Sequence, residues 1–378
     1  MTAPSRIRVL IVDDSAVMRS LLRSVILSDP GLEVAGTAAD GATALESIRL
    51  DSPNLVLLDV EMPVMDGLAT LREMRARRHT MPVIMCSALT QHGATVTIEA
   101  LASGASDYVA KPTGQSGREA AARALAQELL PKIHALTAHL QPRPPAPAAP
   151  RTLLPMPAAP QPLAPRVSTK PTVLAVGVST GGPAALDVLL PQLPQNFPVP
   201  VLIVQHMPEM FTRLLAERLS RRCPLQVSEA EEGMPATAGS IYIARGNWHM
   251  EAVAAARPGA PASLHLTQDP PENHCRPAVD MLFRSAARVY GSGVLAVVLT
   301  GMGYDGLAGS RVILEHGGSV LAQDQASSTV WGMPGAVAQA GLAYKVLPLS
   351  GIAPEILRVA GHAAAAPSEA RNLARMVV

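Results

Sequence analysis

The chain has 378 residues, a formal net charge of +1, 48% hydrophobic residues and four lysines. That length suggests two or three domains, the apolar content supports ordinary cores, and the near-zero charge provides no global field for nucleic acid or an anionic membrane. Three dispersed cysteines (Cys86, Cys223 and Cys275) form neither a disulfide framework nor a metal spacing. Asp13 and Asp14 break the N-terminal apolar stretch, and no apolar run reaches about 18 residues, so a soluble, cytoplasmic protein without membrane insertion is expected.

From the N-terminus, apolar runs at Arg8–Val12, Glu33–Thr37, Leu55–Leu58, Val83–Cys86 and Asp107–Val109 predict strands. Helix-period segments near 15–28, 41–50, 67–77, 92–103 and 117–138 alternate with them, giving five βα repeats of a doubly wound α/β fold over 6–138. In such a sheet, side chains just past the carboxyl ends of the strands converge on one crevice. Here they are Asp13 and Asp14, then Asp59, Ser87 and Lys111. Three converging carboxylates call for a cation, and oxygen ligands suit Mg²⁺. Lys111 adds a point charge for an incoming phosphoryl group, and Ser87 a hydroxyl to bond it. Alone, Asp13-Asp14 also reads as a polar turn with Asp14 or Ser15 capping a helix; that reading leaves the order Asp-Asp, Asp, Ser, Lys at successive strand ends unexplained.

Residues 142–165 carry ten prolines and cannot supply enough backbone donors for helix or sheet, so 139–169 is expected to be an extended linker. A second α/β unit follows over 170–350, with strands at Val173–Val178, Val199–Val204, Ser240–Ala244, Val294–Leu299 and Ser319–Ala322, and a helix at Ala278–Val289. Residues 351–378 are expected to be an alanine-rich tail, with Ile352–Ala365 a candidate helix.

Gly177–Pro183 places Ser179 in a glycine-flanked strand-to-helix turn, the geometry of a nucleophile elbow. A serine nucleophile needs a base, and the base an orienting group. Of the six histidines after the linker, His206 alone directly follows a buried-looking strand. Asp305 lies in the glycine-rich loop after Val294–Leu299, and the Met302 N–H in that loop is a candidate oxyanion donor. Asp269, Asp280 and Asp324 compete for the acid role; Asp280, in a predicted helix, reads more simply as a surface or capping group.

Val9–Arg19 (VLIVDDSAVMR), Val56–Gly67 (VLLDVEMPVMDG) and Asp107–Pro112 (DYVAKP) resemble the receiver domain of two-component response regulators. The resemblance implies that Asp59 accepts phosphate from a chemotaxis-type histidine kinase. It further implies that Asp14, Asp59 and the Glu61 carbonyl hold Mg²⁺ with Asp13 assisting, and that Ser87 and Tyr108 form the switch pair beside Lys111. Gly177–Pro183 (GVSTGGP), Val204–Pro208 (VQHMP), Leu299–Gly306 (LTGMGYDG) and Trp331–Gly335 (WGMPG) resemble the catalytic domain of chemotaxis-type protein-glutamate methylesterases. The second unit is then a Rossmann-like α/β serine hydrolase with Ser179 as nucleophile, His206 as base and acid, and Asp305 as orienting carboxylate. Thr180, Arg276, Asp324 and Met333 are expected to line or support its pocket. By the same resemblance the substrates are methyl-accepting chemoreceptors, whose glutamate methyl esters are hydrolysed and glutamines deamidated, and the esterase reaction needs no cofactor. Arg245 stands where relatives usually carry proline, and Ala278 where serine is usual.

Three readings compete: a gated protein methylesterase and deamidase, a binding regulator with a hydrolase-like scaffold, and a small-molecule esterase. No basic recognition-helix module follows the linker, so a nucleic-acid partner is not expected.

Overall fold

The computed structural model describes residues 6–88, 90–112, 117–140, 170–257 and 259–361. In the first unit β1 (Ile7–Val12), α1 (Ala16–Leu27), β2 (Leu32–Ala38), α2 (Gly41–Asp51), β3 (Leu55–Asp59), α3 (Gly67–Ala76), β4 (Val83–Ser87), α4 (Gln91–Ala102), β5 (Asp107–Ala110) and α5 (Arg118–Thr137) alternate as expected. The strands pair in parallel in the order β2-β1-β3-β4-β5. β3 and β4 are buried along their whole length, as strands covered by helices on both faces must be. Four helices are started by a polar side chain that accepts a free N–H of the first turn: Ser15 from Met18, Asp40 from Thr43, Asp66 from Ala69 and Thr90 from Gly93. Ser15 therefore caps α1, and Asp14 is left to the crevice.

The second unit contains β6 (Val173–Val178), α6 (Gly182–Leu189), β7 (Val201–Gln205), α7 (Glu209–Ser220), β8 (Gln226–Glu229), β9 (Ser240–Ile243), β10 (His249–Val253) and β11 (Ser263–Thr267). It continues through α8 (Val279–Tyr290), β12 (Val294–Val298), α9 (Leu307–Glu315), β13 (Ser319–Gln323), α10 (Met333–Gln339), β14 (Lys345–Leu347) and α11 (Leu349–Ala360). Seven strands form a parallel sheet in the order β14-β13-β12-β6-β7-β9-β8, and β10 and β11 pair as an antiparallel hairpin. The fold is α/β with two parallel-sheet units, as expected. β8, β10, β11 and β14 were not anticipated: they are three to five residues long and lack an unbroken apolar run.

The expected end of the unit at residue 350 falls inside α11, whose Ile352, Ala353, Ile356 and Leu357 are buried in the core. The rest of the predicted tail, 362–378, and most of the predicted linker, 141–169, lie outside the described residues. Among the described residues no helix is long and apolar enough to cross a membrane.

The two units share an apolar cluster that runs from Leu101 and Tyr108 in the first to Phe211 and Leu215 in the second. Tyr108 stacks on Phe211 with ring centroids 4.5 Å apart and planes 24° from parallel. α8 covers the other face of the large sheet through Val279, Leu282, Phe283 and Ala286. Phe283 is fully buried, so Phe283→Ala should lower the stability of the second unit by about 3–5 kcal/mol. Denaturant unfolding checks this: the midpoint should fall with the slope unchanged.

Candidate functional site

In the large sheet the strand order reverses at β6, which pairs with β7 on one side and β12 on the other. Open α/β sheets bind ligands at such a switch point, and a crevice of about 850 Å³ lies there. Ser179 directly follows β6, and its N–H donates to the Thr300 carbonyl at 3.0 Å. His206 directly follows β7, with its N–H donating to Val178 O at 3.1 Å. Asp305 returns to the crevice in the loop after β12, helped by Gly303 at φ 83° and Gly306 at φ 92°.

Nε2 of His206 lies 2.8 Å from Asp305 Oδ2. A carboxylate only accepts, so Nε2 carries the proton and Nδ1 is the nitrogen left to work in the crevice. Asp305 is 2% exposed, yet its oxygens also accept from Val279 N (2.7 Å), Asp280 N, Gly306 N and Asn273 Nδ2 (each 3.0 Å). Two of these donors are the first N–H groups of α8, whose N-cap residue, Ala278, has no side chain to accept them. Asp305 is thus crevice carboxylate and helix cap at once. Burial disfavours its charge, but His206 and the surrounding N–H groups outweigh burial and hold its pKa below the ordinary value. For His206 burial also opposes charge, and its contacts with Asp305 and Cys275 together outweigh it, so the ring titrates above its ordinary 6.5.

Among the described residues the Ser179 hydroxyl makes no hydrogen bond. The partner at His206 Nδ1 is Cys275 Sγ, at 3.5 Å. Such contacts commonly tighten only when substrate is bound. Met302 and Arg276 line the crevice, as does Thr180, whose hydroxyl is committed to Asp107 Oδ2 of the first unit at 2.6 Å. Arg276 grips Asn247 Oδ1 and the carbonyls of Gln268 and Asp269. Met333 lies beneath Gly301, and Asp324 binds Ser327 in a turn, so both support the loops from outside the crevice lining. Arg245 pairs with Glu209.

Asp280 corrects an expectation. It is 2% exposed rather than on the surface; it does cap, but the neighbouring helix, accepting from Gly309 N in the first turn of α9 (2.6 Å) and from Asn273 Nδ2 (3.0 Å). Burial, aided by the Asp305 charge, pushes its pKa up to about 6. Among the crevice residues that were not anticipated are Asp107, Asn273 and Cys275. Asn273-Gly or Asn273-Asn would have signalled a tight hairpin, whereas Asn273-His274 does not, although both residues adopt φ above 50°.

In the first unit, carboxylate oxygens of Asp13, Asp14 and Asp59 lie within 4.8 Å of one another. Lys111 Nζ reaches Asp13 Oδ2 (2.9 Å) and Asp59 Oδ1 (2.7 Å). Burial pushes Asp59 up to about 6 despite Lys111. Asp13 Oδ2 is buried and, beyond that ion-pair distance, has no well-directed hydrogen bond. Three carboxylates against one ammonium, with an under-bonded buried oxygen, fit a divalent cation. Glu61 lines the same crevice. Ser87 is buried and donates to Ala88 O, while Tyr108 is buried under α7.

The chain matches the CheB methylesterase family over residues 174–356 and the response regulator receiver domain over 9–123. The protein-glutamate methylesterase/protein-glutamine glutaminase of Nocardioides sp. is 49% identical over 93% of this chain and 95% of its own length. The protein of the same name in Trichodesmium erythraeum is 46% identical over 94% of this chain and 99% of its own. This chain belongs to that family. The crystal structure of the Thermotoga maritima CheB methylesterase catalytic domain is 40% identical, is covered completely by 50% of this chain, and has a TM-score of 0.48. The Asp305–His206 pair is open to direct measurement. NMR titration should place the His206 pKa above 6.5, and Asp305→Ala should lower it; an unmoved pKa would mean the carboxylate does not act on the ring.

Proposed function

We propose that the chain is a phosphorylation-gated hydrolase of side-chain methyl esters on methyl-accepting chemoreceptors, with deamidation of receptor glutamines by the same site. The observation that supports the reading is that Ser179, His206 and Asp305 line one crevice past the ends of three adjacent strands, with the imidazole 2.8 Å from the carboxylate. The family name of the relatives supplies the ester and amide substrates.

Ser179 Oγ attacks the glutamate ester carbonyl while His206 Nδ1 takes its proton. Met302 N–H donates to no group among the described residues and serves the developing oxyanion. The C–OCH₃ bond then breaks, and the proton returns from His206 to give methanol. Water attacks the acyl-enzyme by the same route, freeing the carboxylate and restoring Ser179. With a glutamine, ammonia leaves in place of methanol. Asp305 holds the ring and stabilises its charged form without taking the proton.

Asp59 accepts the phosphoryl group from a chemotaxis-type histidine kinase. A divalent cation such as Mg²⁺, held by Asp14, Asp59 and the Glu61 carbonyl with Asp13 assisting, would neutralise charge on that group. Lys111 and Ser87 bind its oxygens. In the unphosphorylated protein, the Thr180–Asp107 bond and the Tyr108–Phe211 stack keep the receiver against the crevice. Phosphorylation draws Ser87 and Tyr108 toward Asp59 and shifts the population away from this closed contact. A small-molecule esterase would not need a receiver residue bonded to the neighbour of its nucleophile.

Methanol release from methylated receptor membranes, with and without a phosphodonor, tests the reading. Ser179→Ala should abolish release, and Asp59→Asn should remove only the stimulation. Retained activity in the first variant, or retained stimulation in the second, contradicts it. Asp107→Ala should raise the unstimulated rate severalfold, because Thr180 loses its cross-domain acceptor; an unchanged basal rate would show that this bond is not part of the gate.

A further inference from the structure

The segment between β11 and α8 contains a four-residue hairpin that the proposed reaction has not used. Glu272 and Cys275 exchange both backbone hydrogen bonds, Glu272 N to Cys275 O at 3.1 Å and Cys275 N to Glu272 O at 2.8 Å. The two residues between them, Asn273 and His274, have φ of 52° and 63°. Two successive left-handed residues make the tight turn that glycine or asparagine usually supplies, and histidine in second place is an uncommon choice. A strained turn at the rim of a crevice invites the question of what it positions.

Its side chains answer on both sides of the acid–base pair. Asn273 Nδ2 donates to Asp305 Oδ1 and to Asp280 Oδ2, each at 3.0 Å. It thereby bridges two buried carboxylates that would otherwise repel across the N-terminus of α8. Two residues on, Cys275 Sγ sits 3.5 Å from His206 Nδ1, the nitrogen opposite the one bonded to Asp305. One turn thus touches both partners, the carboxylate through an amide and the imidazole through a thiol. The hairpin is itself anchored: Glu272 makes a double contact with Arg284 of α8, and the next residue, Arg276, grips Asn247 and two carbonyls. The charged and titratable groups facing Asp305 are therefore His206 and Asp280, with Glu272 and Arg284 behind them.

We infer that the Glu272–Cys275 hairpin is a positioning element for the Asp305–His206 pair, with Asn273 fixing the carboxylate and Cys275 holding the imidazole lone pair toward the crevice until Ser179 takes its place. The inference rests on the proposed serine mechanism. Neither residue touches the ester, so both act through another group. Removing the Asn273 donor leaves Asp305 more basic, which strengthens the charged form of His206 and requires a higher pH to free Nδ1. A turn that merely holds the fold would lower the amount of active protein without moving the pH profile.

The test uses the full-length protein, activated by phosphodonor, on methylated receptor membranes. Asn273→Gly keeps the left-handed turn but deletes the amide. It should lower kcat about tenfold with KM unchanged, the scale expected for losing one hydrogen bond donated to a charged group. It should also move the acid limb of the pH profile to higher pH. Cys275→Ala should lower kcat severalfold, and Cys275→Ser, which restores a donor to Nδ1, should recover most of it. An Asn273→Gly enzyme with parental kcat or an unmoved acid limb overturns the Asn273 assignment. A Cys275→Ala enzyme as fast as the parent, or one not rescued by serine, overturns that of Cys275. Ser179→Ala assayed in parallel separates the layers: if it is active the serine mechanism has failed, whereas if it is dead and the hairpin variants behave as the parent only this inference has.

Discussion

A single buried carboxylate sets the terms for the catalytic half of this protein. Asp305 is 2% exposed and carries its charge in the interior, where an unpaired carboxylate costs several kcal/mol and loss of a partner typically about 3–5 kcal/mol. The site's architecture supplies what that charge needs. The N-terminus of α8 points two N–H groups at it, the turn after β12 adds a third, and Asn273 and His206 complete the set. The five donors come from four separate stretches of chain, so the charge can exist only once the β12 loop, the 272–275 turn, α8 and the tip of β7 have assembled. The same arrangement fixes one nitrogen of His206 on Asp305 and turns the other toward the crevice, where Cys275 Sγ lies 3.5 Å away.

The receiver half solves an opposite problem. There carboxylates outnumber cations, and the surplus negative charge gathered by Asp13, Asp14 and Asp59 makes the pocket receptive to a divalent ion. Beside the apolar cluster they share, the two halves are joined by a polar and aromatic contact. Asp107 and Tyr108 are consecutive on β5; the first bonds Thr180, the neighbour of Ser179, and the second stacks on the helix that follows His206. Lys132 Nζ lies 3.4 Å from Asp107 Oδ1 and 2.5 Å from Tyr108 O, tying the pair to α5. A shift of β5 by a small distance therefore breaks contacts on both sides of the crevice together.

Much of this was legible from sequence because strand ends announce themselves. Long apolar runs marked the central strands, and the chemistry of a parallel α/β sheet lies just beyond them, so Asp13, Asp59, Lys111, Ser179 and His206 could be located by position alone. Asp305 was found through its flanking glycines. What escaped notice shares a physical character. Asp280 was hidden because helical position says nothing about which face a carboxylate turns to, and only the approach of α9 at Gly309 buries it. Asn273 and Cys275 sit in a turn whose residues do not advertise their backbone angles. Asp107 read as part of a receiver motif, and its bond to Thr180 exists only through the packing of one domain on the other. The short strands β8, β10, β11 and β14 have too few residues for periodicity to separate them from loops.

The measurement that reaches the central claim most directly is covalent trapping. A fluorophosphonate offered to the full-length protein loses fluoride to an activated serine and leaves a stable phosphonyl ester that peptide mass spectrometry can locate. The account predicts a single adduct on Ser179, formed faster with a phosphodonor and lost when His206 is replaced by alanine. An adduct on Thr180 or Cys275 instead, or Ser179 labelling that persists without His206, would contradict it.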